Sequence, residues 1–218
     1  QRATNEGRLK AIQMLRNNQL GRPLEAHVWT GMMERGSHMP GPWSQLPKAQ
    51  PVPDHYDWDL WHGPLTRKLP FSDEIAPSRW RGWWDTGTGM LGDWGCHLID
   101  VLYYAYDLPS PEAVQTHTPH PSGEAHSGHN RSVITYPGGE RFGRDKFVLH
   151  FCDDELKPSF PALGLPDFQA GFNCTLIVCE EGSMLLGDLG KIDIFRDGRQ
   201  VNEPLPESNP TSHWHDWV

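Results

Sequence analysis

FNCTLIVCEEGSMLLGDLGKIDIF, residues 172–195, decides the fold class. Three apolar runs, Phe172 to Cys179, Ser183 to Leu186 and Lys191 to Phe195, have the length and side chains of strands. Glu180-Glu181-Gly182 between the first two, and Asp197-Gly198 just downstream, have the composition of hairpin turns. Hairpins join antiparallel neighbours, whereas parallel neighbours need a crossover of a dozen or so residues. The end of the chain therefore reads as an antiparallel meander.

Working outward, further strands are predicted at Ala113 to Thr118, Ser132 to Tyr136 and Lys146 to Cys152, bounded by Gly, Pro and Asp. Another, LEAHVWTGMM, runs from Leu24 to Met33. Glu6 to Leu20 places Leu9, Ile12, Met14, Leu15 and Leu20 at helical spacing, with Gly21 as a stop and Pro23 as a breaker. Met90 to Tyr106, MLGDWGCHLIDVLYYAY, is the longest apolar segment and predicts a central helix with Leu91, Leu98, Val101, Leu102 and Ala105 on one face. Leu108-Pro109 ends it. The fold class is α+β: an open, mostly antiparallel β-sheet with helices packed on one face. Between Glu34 and Arg79 lie eight prolines and several tryptophans with little periodicity, which predicts a long loop holding a short helical turn near Asp57 to Trp61. Loops of that length are uncommon unless they serve function.

Composition narrows the class. The 218 residues are 37% hydrophobic and 22% charged, with ten Trp, too apolar for disorder and too polar for a membrane protein. No stretch approaches the ~20 apolar residues of a membrane-spanning helix. A formal charge of −9 with scattered Lys and Arg argues against nucleic acid as a partner. Cys96, Cys152, Cys174 and Cys179 lack CxxC spacing and read as free thiols, which suits a reducing compartment without excluding an exported protein. The start at Gln1 and a helix that opens after Pro210-Thr211-Ser212 and stops at Val218 predict one domain, residues 1–218, truncated at both ends.

Chemistry concentrates in RWRGWWDTGTGMLGDWGCHLID, residues 79–100. Gly87-x-Gly89-x-x-Gly92 matches the dinucleotide fingerprint in form, but a true fingerprint follows a strand and opens a βαβ unit, and Trp83-Trp84-Asp85 precedes this one. It is rejected as a cofactor site. Asp93 and His97, four apart on a helix, project from one face, where a carboxylate can orient and tune an imidazole for proton transfer with a hydroxyl. The same spacing suits a buried helix whose polar groups satisfy one another, and spacing does not choose between these readings.

NNQLGRPLEAHVWTG, PDHYDWDLWHGP, residues 79–100 and NCTLIVCEEGSMLLGD together resemble the C-terminal domain of the glucose-fructose oxidoreductase and inositol dehydrogenase (Gfo/Idh/MocA) family over nearly the whole chain. The most specific element is a glycine-rich turn followed by D-x-G-x-H-x-x-D, here Asp93, Gly95, His97 and Asp100. The resemblance implies a partner Rossmann domain carrying NAD or NADP, substrate held between the two domains, and a homo-oligomer built through the outer sheet face. It places catalytic roles on His97 and Asp93. Trp80 and Arg81 match a segment near cofactor and substrate, so both are candidates for binding either. The family's nucleotide-binding glycines and E-K-P lysine have no equivalent here.

Trp43, Trp58, Trp61, Trp80, Trp83 and Trp84 divide between core packing and stacking on a sugar ring, with Trp80, Trp83 and Trp84 favoured as cleft residues because they adjoin the motif. His117, His120, His126 and His129 read as a solvated Pro/Gly/Ser-rich loop, and no metal is expected. Arg35 to Met39 resembles an expression-tag scar inside the Pro/Trp-rich loop from Glu34 to Arg79 but reads as native.

The leading expectation is the substrate domain of an NAD(P)-dependent oxidoreductase acting on a secondary alcohol of a sugar, cyclitol or glycoside, by dehydrogenation or redox-neutral glycoside cleavage. The alternative is a noncatalytic interaction or oligomerisation module without a nucleotide domain; a metal-dependent hydrolase is weakest, for want of acidic ligands at matching spacing. The compartment, cytoplasmic or exported, stays open.

Overall fold

The computed structural model describes residues 5–31, 45–119, 122–153, 157–210 and 214. The first helix, α1 (Glu6–Arg16), leads into strand β1 (Pro23–Thr30), followed by a long irregular segment containing α2 (Trp58–His62) and a 3-10 turn at Arg79–Gly82. A π-helical turn, Leu91–Gly95, runs directly into α3 (Cys96–Tyr106). The remaining strands are β2 (Ala113–His117), β3 (Arg131–Pro137), β4 (Lys146–Asp153), β5 (Asn173–Cys179), β6 (Ser183–Gly187), β7 (Ile192–Arg196) and β8 (Arg199–Val201).

The eight described strands form one open sheet in the order β2-β3-β4-β1-β5-β6-β7-β8. Among them only the central β1–β4 pair is parallel. The reason is topological: after β1 the chain leaves through the long segment and α3, returns at the far edge as β2, and meanders back until β4 lies beside β1. The segment 172–195 folds as the antiparallel meander its turns predict.

On one face α1 and α3 pack together against the sheet. Met14 and Leu15 of α1 and Leu98, Val101 and Leu102 of α3 share a core with Val28, Leu149, Phe151, Ile177 and Met184. β3 and β4 alternate buried and less buried positions, as a half-buried strand must. On the other face a smaller cluster of Trp29, Leu176, Leu185 and Phe195 is covered by Phe160, Leu165 and Phe168. A buried ion pair ties the helices: Arg8 of α1, 1% exposed, pairs with Asp100 and donates from Nη2 to the His97 carbonyl at 2.8 Å.

Four expectations change. α1 stops at Arg16 instead of Leu20, because Asn17 caps it and Asn18 turns left-handed at φ 51°. Leu91 is 37% exposed instead of joining the face of Leu98, because the π turn rotates everything before it relative to α3. β1 ends at Thr30, and Met32 and Met33 lie outside the described residues, as do Arg35 to Met39. β8, too short and polar to show in the sequence, pairs with β7 across Asp197-Gly198. The expected terminal helix falls outside the described residues except for Trp214. No described helix is long and apolar enough to cross a membrane.

Candidate functional site

The glycine-rich turn is built for close packing. A Cβ on Gly87 would lie 2.1 Å from the Arg81 carbonyl oxygen, and one on Gly92 would lie 2.2 Å from Thr88 Oγ1. Gly89 has φ +65°, which favours glycine. These glycines fold the chain back over Arg81 and under Thr88. A 3-10 turn and not a strand leads into them, and the sheet contains no βαβ nucleotide unit among the described residues. The residues present do not fit a dinucleotide.

The turn delivers Asp93 to Arg81. Arg81 Nε lies 3.2 Å from Asp93 Oδ1 and 3.1 Å from Oδ2, while its Nη1 donates to the Ser78 carbonyl at 2.9 Å. The guanidinium sits 4.6 Å above the Trp80 ring, so a stacked aromatic and a backbone carbonyl both fix its direction. About a quarter of each paired side chain is exposed, 25% for Arg81 and 24% for Asp93. Asp93 belongs to the π turn, a distortion frequent at functional sites. Two residues beyond that turn's end, His97 is partly buried, with its ring edge-on to Trp94 at 5.9 Å. Arg8 bonds the carbonyl of this same residue, which anchors its backbone from below.

The three adjacent tryptophans part company. Trp80 lies half-buried beneath Arg81. Trp83 is fully buried, donates to the Glu74 carbonyl at 3.2 Å and packs with Leu69, Ile75 and Ala125. The structure thus assigns Trp83 to the core of the long loop and removes it from any cleft. Trp58 and Trp61 stack at 4.3 Å and pack against the same cluster. Trp84 is 54% exposed; Trp43 lies outside the described residues.

Trp84 belongs to a second place, unforeseen in the sequence. The backbone of 82–84 pairs with that of 124–126, the His126 N–H donating to Gly82 and the Trp84 N–H to Glu124. This sets the Trp84 ring 3.7 Å from that of His126. Together with Thr88, Thr116, Asn130 and Asp153 they line a cavity of about 400 Å³. Asp153, buried at the end of β4, accepts from the Asn130 N–H at 2.6 Å and from Asn130 Nδ2 at 2.8 Å. His126 Nε2 donates to the Gly87 carbonyl at 3.2 Å, and burial, outweighing that bond, lowers its pKa. Neither Asn130 nor Asp153 stands in a recognisable motif; an acidic residue closing an apolar strand was the one available signal.

Of the other histidines, His117 lies on β2, His129 is exposed at φ 57° and His120 lies outside the described residues. Among the described residues no three His, Cys, Asp or Glu side chains gather as metal ligands.

A family model described as "Oxidoreductase family, C-terminal alpha/beta domain" matches residues 8–145, more than half of the chain. Similar solved structures include the aldose-aldose oxidoreductase of Caulobacter crescentus complexed with glycerol, at 14% identity and TM-score 0.49, covering 96% of this chain and 48% of that one. The WlbA dehydrogenase of Bordetella pertussis, in complex with NADH and UDP-GlcNAcA, gives 15% and 0.49, covering 91% and 46%. An inositol dehydrogenase homolog of Azotobacter vinelandii, complexed with NADH and myo-inositol, gives 12% and 0.47, covering 94% and 40%. The chain spans about half or less of the length of these structures. No curated protein matches.

Proposed function

The chain belongs to the Gfo/Idh/MocA oxidoreductase family, through its C-terminal α/β domain, and from that premise we propose that residues 1–218 form the substrate domain of an NAD(P)-dependent oxidoreductase. Its substrate is a sugar, cyclitol or glycoside, attacked at a secondary alcohol. The observation that carries this reading is the Arg81–Asp93 pair, oriented on Trp80 and left partly open at the head of α3, with His97 one helical turn on.

Oxidising a secondary alcohol removes a proton from oxygen and a hydride from carbon. The dinucleotide that takes the hydride does not fit the residues of this chain and would be held by a nucleotide-binding domain beyond it. The proton needs a base, and imidazole is the side chain whose ordinary titration spans neutral pH. His97 is our choice for that base. Asp93, held by Arg81, keeps acceptor capacity for the substrate hydroxyl and fixes it toward His97. Trp80 and Trp84 supply apolar surface for a sugar face. The outer sheet face, where His27 and His150 stack at 4.8 Å, is the surface we assign to a homo-oligomer.

The test is nicotinamide reduction by the protein carrying its nucleotide-binding domain, across neutral sugars, cyclitols and glycosides. At least one should turn over, and Arg81→Ala should raise KM for it by about tenfold, the loss of one charge-assisted contact. No turnover with any of them would favour the noncatalytic module.

A further inference from the structure

The cavity beneath Trp84 has no part in the proton transfer assigned to Asp93 and His97, yet it is built from the same stretch of chain. Thr88, Gly89, Met90 and Leu91 form one wall, and Asp93 follows two residues later. From Leu91 to His97 the helix axis advances by only about 9 Å. The cavity wall and the assigned reacting pair thus lie within one short stretch of the chain.

The lining states what would fit. At about 400 Å³ the cavity stands at the lower end of small-molecule sites, which run ~300 to 1,000 Å³, enough for one ring. Its aromatic wall is pinned, since Trp84 Nε1 donates to the Ser122 carbonyl at 3.0 Å while over half of the residue stays exposed. Opposite are hydroxyl and amide groups: Thr116, whose Oγ1 lies 2.9 Å from Ser132 Oγ, and Asn130, locked to the buried Asp153. An indole face beside fixed hydroxyls and a carboxylate is the pattern that recognises a ring apolar on one side and hydroxylated at its rim. Among the described residues no Lys or Arg lines the cavity, and the buried carboxylate there, Asp153, is negative. Phosphate and carboxylate groups, which call for charge-assisted donors, have no partner there.

We propose that the cavity is a subsite for an uncharged second unit of the substrate, a neutral glycosyl or polyol ring, so that this protein acts on a two-unit glycoside rather than on a phosphorylated or nucleotide-linked sugar. The proposal takes Asp93 and His97 as the reacting end, and its test needs no cofactor, so that a failure of either reading shows separately. The protein is titrated calorimetrically with methyl β-D-glucopyranoside, cellobiose and glucose 6-phosphate. The two neutral probes should bind, cellobiose more tightly, and the phosphate should bind at least tenfold more weakly. Trp84→Ala should weaken the neutral probes by tenfold or more and Thr116→Val by several-fold, both with unchanged thermal unfolding. The subsite is overturned if neither neutral probe binds, if the phosphate binds as well as they do, if cellobiose binds no more tightly than the methyl glucoside, or if Trp84→Ala binds as the unaltered protein does.

Discussion

Trp80, Trp83 and Trp84 carry the same side chain within five positions and have three fates: a shelf under Arg81, a core residue and a cavity wall. Sequence gives proximity along the chain, and burial depends on what the rest of the chain lays over each ring. Asp93 and His97 can be proposed from the sequence because their spacing and glycine context are local. Asn130 and Asp153 cannot, since they meet across 23 positions and only after β3 and β4 have paired. Gly87 offers a direct check at this scale. With its Cβ position 2.1 Å from a backbone oxygen, Gly87→Ala should destabilise by about 1–3 kcal/mol, read as a lower denaturant midpoint. The thiols give another. Burial raises Cys174 and Cys179 to about 12, whereas Cys96 is exposed, so at mildly alkaline pH a thiol reagent should modify Cys96 quickly and leave those two until the protein unfolds.

At the level of elements, strands with a strict alternation were readable to within a residue or two, as in β3 and β4. The π turn was not, because regular periodicity assumes 3.6 residues per turn and a single wide turn changes only the phase. That phase change separates Leu91 from the buried face of α3, and Leu91 joins Thr88, Gly89 and Met90 along the cavity wall. The helices also depend on a pair that no pattern displays, Arg8 with Asp100. Asp100→Ala would remove the carboxylate that pairs with a buried guanidinium and should cost roughly 3 kcal/mol, the low end of the cost of breaking a buried pair because Asp100 is itself partly open. Leu98→Ala, in the core between α3 and the sheet, should cost about 2–5 kcal/mol by thermal or denaturant unfolding.

For the whole molecule, the open sheet with its helices on one face was legible in the hairpin turns, while the central parallel pair was hidden because it joins the first strand to one more than a hundred residues later. Part of the acid response follows from two partly buried histidines. Burial lowers the pKa of His27 and His126 below the ordinary value of about 6.5, so the unfolded chain binds their protons first as pH falls. The stability they contribute is complete above that value and is lost as pH drops through their lower folded values, so the melting temperature should decline below about pH 6.5. His27→Gln with His126→Gln should flatten that decline. The central claim concerns His97 as the group that takes the substrate's proton. It is tested most directly by the pH dependence of kcat/KM for a neutral secondary alcohol, measured on the protein carrying its nucleotide-binding domain, with and without His97→Ala. The account predicts an ascending limb near neutrality that the substitution removes, with a loss in rate of about 10²–10⁴; the same limb at an unchanged rate in the variant would contradict it.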